Sequence, residues 1–311
     1  MTSLLPREVR CSSAASEARR CAVALKVAIR ESQNAVTQQQ QVPIAPFSAT
    51  LPTSLNFLAP LTVDGMVRVG NSHDGGYVIP TSSILAVDTL LSFGISADWS
   101  FEEHFKALNP GIIIHAYDHT ISEQKFKLSL LRGLVKFAFG KMGTGELKRR
   151  FKIWRGYKSF FQQKAIHFKE RIHNRVDGTH DATLEKIFDR TESTKIFLKI
   201  DIEGSEYRII DDIVKYADRI IGMVIEFHET DPLRDTFCKA VRTLQKRFEI
   251  VHLHGNNFVA LAGDNLPEVL EITFANRRDV EGSARRQHLP LPELDHPNDP
   301  DRADYVLSFS L

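Results

Sequence analysis

No apolar run in this sequence approaches the ~18 residues needed to cross a membrane as a helix, so no spanning segment is expected. Cysteine is scarce as well. Cys11, Cys21 and Cys238 are odd in number and widely scattered, which excludes a disulfide framework or a thiolate metal site and reads as reduced thiols. The opening stretch MTSLLPREVRCSSAASEARR lacks the order of basic region, apolar core and small-residue cleavage site of a secretory signal, and its glutamates disfavour a transit peptide. The expected address is cytoplasmic. Charge of one sign is also missing overall, the net being +1.

That neutrality is a sum of opposites. Residues 125 to 175 hold 15 Lys/Arg against two Glu, leaving 25 basic against 37 acidic residues in the rest of the chain. Within the block, cations alternate with Phe, Trp154 and Tyr157. One reading is a basic, aromatic lid that favours an anionic or sugar-containing acceptor, because rings stack on sugars and cations pair with phosphate or carboxylate. The plainer reading is an amphipathic helical insertion with its aromatics packed on the core and its cations solvated. Interfacial contact with an anionic membrane carrying a lipid-linked acceptor fits the same pattern. Nucleic acid is the least favoured partner, since no recognisable binding module accompanies the charge.

Residues 1–50 join a Ser/Ala/Arg-rich stretch to the polar tract TQQQQVPIAP and are expected as a mobile extension. A core domain is expected over 51–284, interrupted by the basic insertion at about 121–175 and followed by a Pro/Asp-rich tail, 285–311. MVRVGNSHDGGYVIP has two short apolar runs around Asp74-Gly75-Gly76, the pattern of a β-hairpin. Beyond it, apolar runs alternate with helical periodicity: TLLSFGI, SFEEHFKALNP, GIIIHAYD, AIHFKERI, DATLEKIFDR, KIFLKIDI, RIIGMVIEF and DPLRDTFCKAVRTLQKRF. Ser100 and Asp231 are the expected helix caps, and EIVHLHGNN and EVLEITFANR close the sheet as antiparallel partners. The fold class is therefore α/β, a Rossmann-like, doubly wound, mostly parallel sheet with an antiparallel C-terminal edge strand and a basic helical insertion.

In such a sheet ligands bind beyond the carboxyl ends of the strands, and polar residues gather at each predicted end. These are Gly94-Ile95-Ser96-Ala97-Asp98, Asp118-His119, Asp201-Ile202-Glu203-Gly204, Glu226-Phe227-His228-Glu229 and His254-Gly255-Asn256-Asn257. Gly204 marks a turn into a helix, where a bulky branched residue is expected to crowd the chain.

The string FLKIDIEGSEY, with LLSFGISADWSFE before it and IEFHE and LEITF after it, resembles the FkbM-type methyltransferases, a branch of the class I S-adenosylmethionine-dependent enzymes. The likeness runs from about Arg68 to Arg277 and takes in the LPLPELDHPNDP tail. It implies S-adenosylmethionine as cofactor, held by Gly94, Ser96, Asp98, Asp118 and Asp201, with Asp118 receiving the ribose hydroxyls. Ser96 and Asp98 stand where the family commonly has glycine, so the loop is expected to follow a less compact path. The family likeness implies O-methylation of a hydroxyl on a sugar, glycan or natural product.

The sulfonium cofactor arrives activated, so the protein must chiefly hold a nucleophile in line and remove its proton. Asp201, Glu203 and His228 are the candidate catalytic residues. Histidine titrates near neutrality, which makes His228, or else His254, the expected base. A divalent metal held by Asp201, His228, His254 and Asn257 would serve the same end by lowering the acceptor's pKa. Two other readings stand beside the methyltransferase: a nucleotide-sugar-dependent glycosyltransferase using Asp201 and Glu203 at the diphosphate, and a noncatalytic Rossmann-like module binding through its basic insertion.

Overall fold

A computed structural model describes residues 47–282 and 284–310. The extension expected at the N-terminus, with Cys11 and Cys21, lies through residue 46 outside the described residues. Among the described residues no helix is long and apolar enough to cross a membrane.

Seven strands form the central sheet: β1 (Thr89–Phe93), β2 (Ile113–Tyr117), β3 (Ala165–Phe168), β4 (Ile196–Ile200), β5 (Ile220–Phe227), β6 (Phe248–Gly255) and β7 (Leu270–Asn276). Their spatial order is β3-β2-β1-β4-β5-β7-β6. All are parallel except β7, which runs antiparallel to β5 and to β6. The antiparallel strand was expected at the edge. It lies one place in, because β6 crosses to the outside and β7 returns between it and β5.

Among the described residues seven α-helices accompany the strands: α1 (Thr81–Ala86), α2 (Ser100–Leu108), α3 (Glu123–Ala138), α4 (Thr144–Phe160), α5 (Leu184–Arg190), α6 (Ile210–Lys215) and α7 (Arg234–Leu244). Strand order grows one way from β1 to β3 and the other way from β4 to β5. Right-handed crossovers then place the connecting helices on opposite faces. Strand β4 shows the consequence in its alternation. Ile196, Leu198 and Ile200 join a buried cluster with Ile187, Ile213 and Phe237 of α5, α6 and α7. Phe197 and Lys199 face the other way, Phe197 against Phe105 of α2 at 5.4 Å between ring centres and Lys199 over the Tyr77 ring.

Two helix starts differ from expectation. Ser100 is the first residue of α2, and the side chain that caps it is Asp98, whose Oδ1 accepts the Ser100 N–H at 2.9 Å. Helix α7 begins at Arg234, and Asp231 is spent on an ion pair with that arginine.

The hairpin is present, Met66–Val69 pairing antiparallel with Tyr77–Pro80. Residues 285–311, expected as a tail, contribute strands that extend the fold: Tyr305–Ser308 pairs in parallel with Phe47–Thr50 and antiparallel with His288–Leu289. Its segment from Asp295 to Asp304 lies over the carboxyl end of β6. Asp295 bonds His252 at 2.9 Å, Asp304 bonds His254 at 3.2 Å, and Asn298 donates to Glu271 at 2.7 Å.

Candidate functional site

The strand order reverses between β1 and β4, and the two chains touch where they leave the sheet. Asp201 N–H donates to the Phe93 carbonyl at 3.0 Å, and Gly94 N–H donates across to Tyr117 at 2.9 Å. Gly94 has φ +77°, and a Cβ placed on it would stand 1.7 Å from the Asp201 carbonyl oxygen. Glycine is therefore required here by backbone against backbone. Gly204 is different: its φ is +88°, but nothing lies within 4 Å of an added Cβ. The crowding expected at that position does not occur.

Lys199 is buried just beneath this contact. Its ammonium donates to the Gly94 carbonyl and lies 3.5 Å from Asp201 Oδ2. Burial alone would lower its pKa, but Asp201, Glu102 and Glu226 outweigh that and move it upward, so it stays charged. The lysine thus ties the β1 loop to the β4 loop while neutralising part of a dense carboxylate group. Asp201 itself is half-buried, and its Oδ1 accepts no hydrogen bond among the described residues.

Asp118, at the end of β2, is buried and bound by four donors. Oδ2 accepts the N–H groups of Ile95 (3.2 Å) and Ser96 (2.8 Å), and Oδ1 accepts the N–H (2.7 Å) and hydroxyl (2.5 Å) of Thr120. Burial pushes the carboxyl pKa up, yet the Thr120, Ser96 and Ile95 donors together hold it below the ordinary value. Ser96 takes a left-handed φ of +46°. Asp98 accepts from Asn71 of the hairpin as well as capping α2, so the hairpin, the β1 loop and α2 are joined through one carboxylate.

The turn after β4 is held from within by Glu206. Its fully buried Oε1 accepts the N–H groups of Ile202 and Gly204, each at 3.1 Å, and bonds His228 Nδ1 at 3.1 Å. Glu203, at φ +53°, carries a largely exposed side chain whose Oε2 is 3.6 Å from His228 Nε2. Glu226 Oε1 lies 3.8 Å from the same nitrogen. Glu226 is buried, accepts from Tyr77 Oη at 3.0 Å and Asn256 Nδ2 at 3.1 Å, and is pushed well up in pKa by burial, with Asp201 and Glu271 adding to it.

These carboxylates alter the expected role of His228. Burial lowers its pKa, but the Glu206 bond and charge, with Glu226 and Asp201, override this and raise it to about 9. With Nδ1 on Glu206 and Nε2 facing Glu203 and Glu226, the ring is placed to hold carboxylates together, and its raised pKa disfavours the role of base expected for it. The sign of its stability effect follows. The contribution is fully present below the unfolded value of 6.5 and is lost as pH rises through about 9. The loss is on the order of 3 kcal/mol for a mostly buried group. Urea unfolding of wild type and His228→Gln from about pH 6 to 10 should show the wild type losing its advantage across that window. A constant difference between the two would remove the assignment.

His254 and Asn257 do not reach the site. His254 is 1% exposed, bonded to Glu271 at 3.2 Å and to Asp304, and its pKa is moved well upward by those bonds against the effect of burial. Asn257 donates to the carbonyls of Asp299 (3.0 Å), Arg302 and Ala303 and accepts the Asp299 N–H. The expectations of His254 as base and of both as metal ligands are overturned by this C-terminal cover. The three residues that remain, Asp201, Glu203 and His228, each have one donor atom within 4.8 Å of the others'. They fit a resident divalent ion poorly, because Lys199 already sets a cation 3.5 Å from Asp201 and His228 Nδ1 is taken up by Glu206. No step through a metal is derived.

The basic insertion is a pair of packed helices, α3 and α4. Its inner aromatics cluster on Trp99 of the β1 loop: Tyr157 at 5.8 Å, Phe161 at 5.9 Å and Phe126 at 6.1 Å between ring centres. Tyr157 Oη bonds His167 Nδ1 at 2.6 Å, and His167 Nε2 bonds the Asp118 carbonyl at 2.9 Å. These inner aromatics pack on the core, whereas Phe137, Phe139 and Phe151 of the same insertion are exposed.

Lys199 and Glu206 escaped the sequence reading of the site. The signal for Lys199 was a lone cation in a strand apolar on both faces, since buried lysine is rare unless paired. Glu206 stood among apolar residues at helical spacing, and only its depth sets it apart.

No protein-family profile matches the sequence, and no curated protein matches it. Among solved structures, a fibrillarin pre-rRNA processing protein of Methanococcus jannaschii is 11% identical, covering 70% of this chain and 87% of its own, with a TM-score of 0.33. Precorrin-6y C5,15-methyltransferase from Geobacter metallireducens is 14% identical over 63% of this chain and 86% of its own, TM-score 0.33. A protein from Agrobacterium tumefaciens described as a predicted O-methyltransferase is 9% identical over 74% and 84%, TM-score 0.30. Likeness at that level carries no conclusion about chemistry, which must come from this chain's own residues.

Proposed function

We propose that this chain is an S-adenosylmethionine-dependent methyltransferase of the FkbM type, acting on a hydroxyl of a sugar, glycan or natural product, with an anionic or lipid-linked acceptor favoured by the basic insertion. The observation that carries the reading is the continuous line from Asp118 through Ile95 and Ser96 to Gly94 and then to Asp201. It lies where strand order reverses, the place where open α/β sheets bind ligands. In this proposal the loop Gly94–Asp98 and Asp201 receive the cofactor, Asp201 Oδ1 facing its amine and the acceptor. Asp118 stands at the ribose position, and a ribose hydroxyl there shares or displaces the Ile95 and Ser96 donors.

S-adenosylmethionine, when bound, supplies the electrophilic methyl group. What the chain adds is orientation and charge. Glu203, whose Oε2 lies 3.6 Å from His228 Nε2, is the assigned acceptor of the hydroxyl proton, and Lys199 sets a buried cation 3.5 Å from Asp201. Calorimetric titration of the full chain with S-adenosylhomocysteine tests the reading. Saturable one-site binding is expected, with no heat from a uridine-diphosphate sugar. The reverse result would assign the glycosyltransferase, and silence with both would assign the noncatalytic module.

A further inference from the structure

The two insertion helices carry an apolar stripe that the fold leaves uncovered. At 100° per residue, Leu128, Leu131, Leu134 and Val135 share one side of α3, and they are 45%, 49%, 47% and 58% exposed. Gly133 lies on another side and marks the contact with α4, where its Cβ would meet Arg150 Cδ at 3.1 Å and Leu147 Cδ1 at 3.4 Å. The stripe therefore points away from the partner helix. Phe139, just past the end of α3, is 75% exposed and continues it.

Charge borders and enters the stripe: by the same spacing Arg132 and Lys136 lie beside it and Lys127 falls within its arc. Residues 123–160 contain 11 Lys/Arg and two Glu. Glu146 is occupied by Arg149 and Arg150, whereas Lys127, Arg132, Lys136, Lys141 and Lys152 form no ion pair among the described residues. Such a surface needs an occupant that is apolar inside and anionic outside. A second copy of the same helices would meet its own positive charge. Residues 1–46 carry six Lys/Arg against three acids, so charge disfavours them too.

We infer that α3 and the turn after it dock on an anionic lipid bilayer, with the Leu128–Val135 stripe and Phe139 among the acyl chains and the flanking cations at the headgroups. Helix α3 is about 24 Å long at 1.5 Å per residue, enough to lie in the interface with three turns engaged. The Trp99 cluster and the Tyr157–His167–Asp118 bonds fasten this docking element to the strand ends described above. The inference does not depend on the reaction proposed for them.

Co-sedimentation of the full chain with vesicles tests it, comparing phosphatidylcholine alone with phosphatidylcholine mixed with phosphatidylserine. Pelleting is expected only with the mixed vesicles and should fade with added salt. Each basic residue at the surface contributes roughly five-fold, so K127Q/R132Q/K136Q should weaken binding on the order of 100-fold. L128Q/L131Q/V135Q should weaken it by at least about ten-fold through lost apolar burial. All these positions are exposed, so both triple variants should keep the wild-type melting curve. Absence of pelleting, equal pelleting with neutral vesicles, or unchanged binding by either variant overturns the inference. So does a wild-type dimer in sedimentation velocity that L128Q/L131Q/V135Q dissociates, since the stripe would then belong to a second copy.

Discussion

Gly94→Ala should lower stability by on the order of 5 kcal/mol, leaving the chain unfolded or melting about 10–20 °C below wild type. A left-handed alanine costs about 1–2 kcal/mol by itself. The larger part comes from the 1.7 Å approach of its Cβ to the Asp201 carbonyl, which only separation of the β1 and β4 ends can relieve. Separation strains the Asp201-to-Phe93 and Gly94-to-Tyr117 hydrogen bonds and the Lys199 contact with the Gly94 carbonyl. Each buried bond lost costs about 1–3 kcal/mol, a large share of the ~5–15 kcal/mol that holds a domain folded. Gly204→Ala is the matched comparison, since its φ is equally left-handed and its surroundings are open. It should lose only the conformational part. Equal melting temperatures for the two variants would mean that the β1 and β4 ends are not packed as described.

Asp201→Asn should act the opposite way, leaving the fold intact while binding fails. The side chain is half-buried at the rim and its one protein partner, Lys199, keeps the Gly94 carbonyl, so the melting temperature should move by no more than a few degrees. A charge-assisted hydrogen bond to the cofactor amine is worth about 1.5–3 kcal/mol. Its loss should weaken S-adenosylhomocysteine binding about ten- to 150-fold in calorimetry, and methyl transfer by at least as much. Wild-type affinity in a folded Asp201→Asn chain would detach this carboxylate from the cofactor and leave the reversal point without its principal ligand-facing group.

The two variants separate what neighbouring residues do at one contact. Gly94 answers to two backbones that meet, and in the proposed site Asp201 answers to a carboxylate oxygen left over after they have met. His228 belongs to neither category. Its Nδ1 bond to Glu206 joins the β4 turn to the β5 end and, against the effect of burial, raises its pKa.

Sequence alone determined the order of strands and helices, the hairpin, and the collection of acids at strand ends, because those follow from periodicity and turn chemistry within a few residues. Nothing in a short window could decide which polar ends stay open. His254 and Asn257 look as available in sequence as Asp201, and they are closed off by Asp304 and Asp299 from a segment that returns over β6. The protonation of His228 was equally out of reach, since Glu206 and Glu226 come from different elements and their summed field, not the intrinsic imidazole, sets its charge. Tertiary structure made these decisions for one physical reason: hydrogen-bond saturation and pKa depend on groups distant along the chain that only folding brings within a few ångströms.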